Sequence, residues 1–148
     1  MKLVNFLFVL LSIPALCQTL DYNSKKGLAV EGYDVVSYFN NEPKKGLKKL
    51  AIHVDNITYL FSSKENLITF RDNPEKYMPQ YGGYCAYAVA LKGKKVSIDP
   101  KTYKIIHDKL YLFYKAWGAN TLDLWNEENE EIVLNKGDKN WRIIQFKK

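Results

Sequence analysis

Apolar positions along the chain fall into short runs separated by turn signals. Residues 50–53 and 57–61 read as two strands joined at Asp55-Asn56. Ser62-Ser63-Lys64-Glu65 then fits a capping box, with serine at the cap and glutamate three residues later. Leu67 and Phe70 share one helical face behind it, and Asp72-Asn73-Pro74 ends that helix. Gly82-Gly83 is a hinge-like pair. The run at 84–90 after it is apolar but too short for its period to separate helix from strand. Residues 103–107 and 110–114 read as a second hairpin around Asp108-Lys109. From 116 to about 134 the period becomes helical. Leu122, Trp125, Ile132 and Val133 share a face, and Lys136-Gly137 gives the stop. The pattern predicts one small α+β domain of short antiparallel β-hairpins packed with two or three helices.

The first residues read differently. Met1-Lys2 is a short basic start, and residues 3–16 are an apolar run followed by Cys17. That is the form of a secretory signal peptide. The run is shorter than the roughly 20 residues that span a bilayer. Cleavage after Cys17 puts Ala15 and Cys17 at the two positions that favour small residues. The domains are then a signal peptide at 1–17 and a folded domain at 18–148. The chain is expected to be exported, periplasmic or secreted, with no transmembrane segment after processing. A rival reading makes Cys17 the lipid-modified residue of a lipoprotein. The residues before it, Pro14, Ala15 and Leu16, fit that pattern less well.

Composition excludes one class and narrows another. With 47% hydrophobic and 14% aromatic residues, the chain has enough apolar surface to avoid disorder. The formal charge of +6 is too dispersed to signify nucleic acid. The lysines between residues 40 and 49 read as solvated surface, with an anionic membrane or polyanion contact as the rival. Glu127, Glu128, Glu130 and Glu131 also read as surface. Trp117, Trp125 and Trp141 read as core rather than ligand platforms. Asn56-Ile57-Thr58 is a glycosylation sequon, relevant only in a host that uses it.

Processing would leave one cysteine, Cys85, so no internal disulfide is available. A buried apolar thiol is the plain reading. Phosphate-binding loops, dinucleotide fingerprints, His-Glu-x-x-His and Cys-x-x-Cys are all missing from the sequence. Cys85 with His53 or His107 is formally a nucleophile–base pair, but no local signature supports it. Cys85, His53, His107 and Met78 are also soft or borderline donors, suited to Cu(I) or Zn(II). Their spacing is dispersed.

A resemblance runs through most of the domain. Gly32-Tyr33-Asp34-Val35-Val36-Ser37-Tyr38-Phe39 is similar to the opening motif of exported YHS-domain proteins. The likeness continues through Thr58–Asn66 and Phe70–Tyr77 into Pro79-Gln80-Tyr81-Gly82-Gly83-Tyr84-Cys85-Ala86-Tyr87-Ala88-Val89. Ile98-Asp99-Pro100, Lys109-Leu110-Tyr111-Leu112 and Asn140-Trp141 extend it, so it covers about 27–141. The resemblance implies a short α+β module that binds heavy metal, often copper; the donor set admits zinc as well. It carries over Cys85, Asp34 and Asp99, with His53 near the place of the family's histidine. This chain lacks the Cys-Gly-Met of the metal-ATPase version, which leaves at most one thiolate with oxygen or nitrogen helpers.

The same residues also read without metal. Asp34 can cap the turn at 35–39, and Asp99 can close an Asx turn with Pro100. Tyr33, Tyr84 and Tyr87 would line a pocket near Cys85. The leading expectation is therefore an exported metal-binding module. The alternative is a module for a non-metal small ligand or protein partner. A Cys85-dependent enzyme is the third reading, and it lacks a visible general base.

Overall fold

A computed structural model describes residues 19–146. The signal peptide expected at 1–17, with Cys17, lies outside the described residues.

The chain is α+β, with short strands in small sheets and helices packed on them. The first sheet has the order β1–β2–β4–β3. Its strands are β1 (Ser24–Lys25), β2 (Leu28–Ala29), β3 (Leu47–Val54) and β4 (Ile57–Phe61). The β3–β4 hairpin follows the predicted pattern, and its turn at Asp55-Asn56 has both residues at positive φ. One pairing departs from the hairpin rule, because β2 lies parallel to β4. Helix α1 (Lys64–Asp72) and the short α2 (Pro74–Tyr77) follow, divided at Asn73-Pro74 as expected.

The cap of α1 is shifted by one residue. Ser63, not Ser62, is the N-cap, and its hydroxyl accepts from the Asn66 N–H at 3.1 Å. Ser62 is engaged elsewhere. The ambiguous run at 84–90 becomes helix α3 (Ala86–Lys92), ended by left-handed Gly93. The second hairpin is β5 (Asp99–Ile106) and β6 (Lys109–Phe113), with its turn at His107-Asp108.

The C-terminal part differs most from expectation. The single helical pattern from 116 resolves into a tight hairpin and two helices. The hairpin is β7 (Lys115–Ala116) and β8 (Ala119–Asn120). The helices are α4 (Thr121–Asn126) and α5 (Glu130–Ile144). Asn120 and Asn129 cap the helices by accepting the N–H of Leu122 and Ile132. Gly137 does not stop α5. It lies buried inside the helix, where a Cβ would collide with the Tyr81 hydroxyl. A glycine that sequence reads as a terminator is here the clearance for a ring.

Two apolar clusters make the core. One gathers Val35, Tyr38, Phe61, Phe70, Cys85 and Leu112. The other gathers Val89, Tyr111, Phe113, Trp125 and Val133 around α3 and α5. Trp125 is fully buried as expected, but Trp117 is 99% exposed. Among the described residues no helix is long and apolar enough to cross a membrane.

Candidate functional site

The structure disperses the residues that sequence singled out. Cys85 starts α3 and is completely buried. Its N–H donates to the Val96 carbonyl at 2.9 Å, and its Sγ lies 3.3 Å from Thr121 Oγ1. Thr121 Oγ1 in turn donates to the Tyr114 carbonyl and accepts from the Tyr114 N–H, both at 2.9 Å. The thiol therefore packs at the root of the β7–β8 hairpin.

Asp34 is also fully buried. Its Oδ1 accepts from the Val36 N–H at 3.0 Å. Its Oδ2 accepts from the Ser62 N–H (2.8 Å), the Ser62 hydroxyl (2.6 Å) and the Asn66 amide (2.7 Å). One carboxylate thus ties the turn at Ser37–Asn40 to the end of β4 and the first turn of α1. Four donors on one buried carboxylate compensate the cost of removing its charge from water.

Asp99 closes the Asx turn. Its Oδ1 accepts from the Lys101 N–H and its Oδ2 from the Thr102 hydroxyl, each at 3.0 Å. His53 is exposed on the β3–β4 hairpin, with Nδ1 2.9 Å from Thr58 Oγ1. Among the described residues no three His, Cys, Asp or Glu side chains come together. As placed, Cys85, Asp34, Asp99 and His53 do not form one coordination shell for copper or zinc. The thiol is buried, the two carboxylates have all four oxygens hydrogen-bonded, and the imidazole is at the surface.

The tyrosines part company too. Tyr33 is buried under the Lys45 ammonium, 4.3 Å from its ring centre. Tyr87 packs between the two core clusters. Tyr84 reaches the opposite way and donates to Asp21 Oδ2 at 3.0 Å.

A second arrangement, which the sequence does not single out, lies beside Tyr84. After α2, the chain turns through three successive left-handed residues, Tyr81 (φ 53°), Gly82 (φ 60°) and Gly83 (φ 78°). Tyr81 carries a conformation that costs a non-glycine residue about 1–2 kcal/mol. Packing holds it there. Its ring lies against Gly137, and its hydroxyl donates to Asp138 Oδ1 at 3.1 Å. Gly82 is fixed by crowding, since a Cβ there would stand 2.6 Å from the Asp21 carbonyl and 2.9 Å from the Trp141 ring.

This bend floors a cleft of about 350 Å³. Tyr22, Tyr81 and Trp141 wall it, and Glu75, Asp138 and Arg142 line it with charge. Asp138, Trp141 and Arg142 sit three and four residues apart on α5, so one helix face presents all three.

The remaining wall comes from the other end of the chain. Residues 20–23 lie across the fold as a strap. The Asp21 N–H donates to the Gln145 carbonyl at 2.7 Å, and the Asn23 N–H to the Gly82 carbonyl at 2.8 Å. Asn23 Nδ2 donates to the Gly83 carbonyl at 2.9 Å. Lys95 Nζ bonds Asp21 Oδ2 at 2.9 Å and the Phe146 carbonyl at 3.0 Å. Leu20 and Tyr22 face the cleft, while Asp21 faces a second hollow of about 330 Å³ with Gly93, Lys95 and Ile144.

Burial, then the Asp138 carboxylate, pushes the Tyr81 phenol well above its ordinary value. Burial, then the hydrogen bond to Asp21, pushes Tyr84 up to about 12. Both stay protonated donors near neutral pH. The sequence shows Tyr81 only within a motif and reads Trp141 as core, whereas the structure leaves Trp141 half-buried at the cleft; Asp21, Asp138 and Arg142 are not singled out by the sequence. The one available signal was the helical spacing of 138, 141 and 142, hidden by the supposed stop at Gly137.

Compared with known proteins, the chain matches no family model, no curated protein and no solved structure.

Proposed function

We propose that this chain is an exported binding module for a small amphipathic organic ligand, held in the cleft between Tyr81 and Trp141. The observation that carries the reading is the left-handed bend Tyr81–Gly83, locked under Trp141 and against Gly137. It spends local strain to build an aromatic-walled hollow with charged groups at its lining. Strain held in place by surrounding packing is a mark of functional sites. The volume lies at the small end of the range for ligand pockets. Three rings favour a flat apolar body, Arg142 favours an anionic group, and Glu75 and Asp138 favour a cationic one. An amphipathic molecule with one ionisable end satisfies that set. The site offers phenolic donors, carboxylates and a guanidinium, so its chemistry favours holding a ligand over attacking it.

The copper or zinc reading rests on the resemblance to YHS domains and on Cys85. It is the competing outcome of one experiment. The chain from Gln18 to Lys148 is followed by amide NMR during titration with aromatic amines, aromatic carboxylates and zwitterionic aromatics. Cu(I) and Zn(II) are titrated in parallel without oxygen. The proposal expects shifts confined to residues 20–23, 78–84 and 138–142, lost in Trp141→Ala. A panel that leaves the cleft unmoved, with one metal equivalent retained by the wild type and lost in Cys85→Ser, gives the function to metal instead.

A further inference from the structure

The three tryptophans occupy three environments. Trp125 is fully buried, Trp141 is half-buried at the cleft, and Trp117 is 99% exposed. Trp117 and Gly118 form the two-residue tip between β7 and β8, with φ 52° and 79°. Tips of this kind are favourable for Asn-Gly or Gly-Gly. A tryptophan at the first position accepts a left-handed conformation that its bulk disfavours, and it gains no intramolecular burial in return.

The hairpin holding it is anchored. The Thr121 N–H donates to the Tyr114 carbonyl at 3.0 Å, and Thr121 Oγ1 bonds both polar backbone groups of Tyr114 and lies 3.3 Å from the buried Cys85 Sγ. The indole is therefore presented from a fixed root. Around it Ala116, Gly118 and Ala119 are too small to cover it, Lys115 is exposed beside it, and Asp123 lines the same tip.

We propose that Trp117 is a surface anchor for an anionic lipid membrane, with its indole entering the headgroup level and Lys115 facing lipid phosphates. A protein hot spot sits within a packed patch whose neighbours exclude water. This indole projects alone among small and charged residues. A lipid interface accepts a single amphipathic ring without a matching pocket. Without residues 1–17, and so without Lys2, the chain keeps a basic excess of +5 (21 basic against 16 acidic residues) that adds attraction to an anionic leaflet, while at the tip itself Lys115 stands beside Asp123. One ring and diffuse charge make the contact weak and reversible. This surface is separate from the cleft and does not depend on the ligand proposed for it.

The test is co-flotation of the chain from Gln18 to Lys148 with vesicles of equal phosphatidylglycerol and phosphatidylcholine, beside vesicles of phosphatidylcholine alone. Wild type is expected to float with the anionic vesicles at low salt and to release as salt rises. Trp117→Ala is expected to reduce the bound fraction about fivefold or more, and Lys115→Glu to reduce it less. Brominated lipids should quench wild-type fluorescence but not that of Trp117→Ala. The thermal melting of Trp117→Ala should match wild type, because the side chain packs on nothing. Equal flotation of wild type and Trp117→Ala overturns the proposal. So does absence of flotation at low salt, including the case in which Trp117 is shielded by a protein partner instead.

Discussion

At the Asp34 corner a carboxylate with no solvent exposure receives four hydrogen bonds from three segments of chain. At the Tyr81 bend, phenols, two carboxylates and a guanidinium gather around an open hollow. The first holds an acid that the sequence singles out, whereas the second shows in the sequence only as a hinge-like glycine pair. They differ in whether the polar groups are closed on one another. A buried network that satisfies itself specifies the fold and presents nothing to a ligand. Groups left along an open wall can exchange water for a partner.

The sharpest way to break that contrast is to remove the Asp34 carboxylate. Asp34→Ala leaves the Ser62 N–H and hydroxyl, the Asn66 amide and the Val36 N–H without their acceptor. The expected loss is about 4 kcal/mol of unfolding free energy, read by urea denaturation. Asp34→Asn should recover part of it, since one oxygen remains. A loss below about 1 kcal/mol would show that Asp34 is not the tie the hydrogen bonds describe.

The cleft should respond differently. Gly82→Ala forces a Cβ against the Asp21 carbonyl and the Trp141 ring, at a positive φ. Strain and crowding together are expected to cost about 2–3 kcal/mol. The chain should still fold, but the strap should lift. Faster hydrogen exchange at the Asp21 and Asn23 amides would report this, since they donate to Gln145 and Gly82. Ligand-induced shifts in the cleft should vanish at the same time. Unchanged exchange at both amides would separate the strap from the bend and remove the physical basis of the cleft wall.

How much of this was legible follows from range along the chain. The strand at 57–61 and helix α1 rest on alternation, a cap and a proline stop, all local signals, and they are where the pattern placed them within a residue or two, while β3 begins three residues before the expected start at 50. Asp99 was also readable, because an Asx turn involves only its own neighbours. Gly137 was misread because its reason is Tyr81, which is distant in sequence. Trp117 was misread because the helical pattern was drawn back to 116, through a hairpin whose tip residues carry positive φ. The cleft was invisible for the same reason, since its walls come from opposite ends of the chain.

Cys85 gives the smallest effect and bears most directly on the competing function. Cys85 is completely buried, and its Sγ lies 3.3 Å from Thr121 Oγ1. Cys85→Ser keeps the shape and replaces a weak, polarisable group with a hydroxyl that Thr121 can accept from. The new hydrogen bond offsets part of the cost of burying a more polar atom, so the net loss should be about 1 kcal/mol. Cys85→Ala should cost a similar amount, through lost contacts rather than lost polarity. If the thiol is a packing group at the hairpin root, both variants keep the cleft shifts, and neither they nor wild type retain a tight equivalent of Cu(I) or Zn(II). A thiol that serves a metal gives the opposite pattern: the wild type retains one equivalent, both variants lose it, and the metal's stabilisation of the folded state is lost on top of the packing cost. The two quantities, unfolding free energy and bound metal, therefore divide the readings even though the substitution is a single atom.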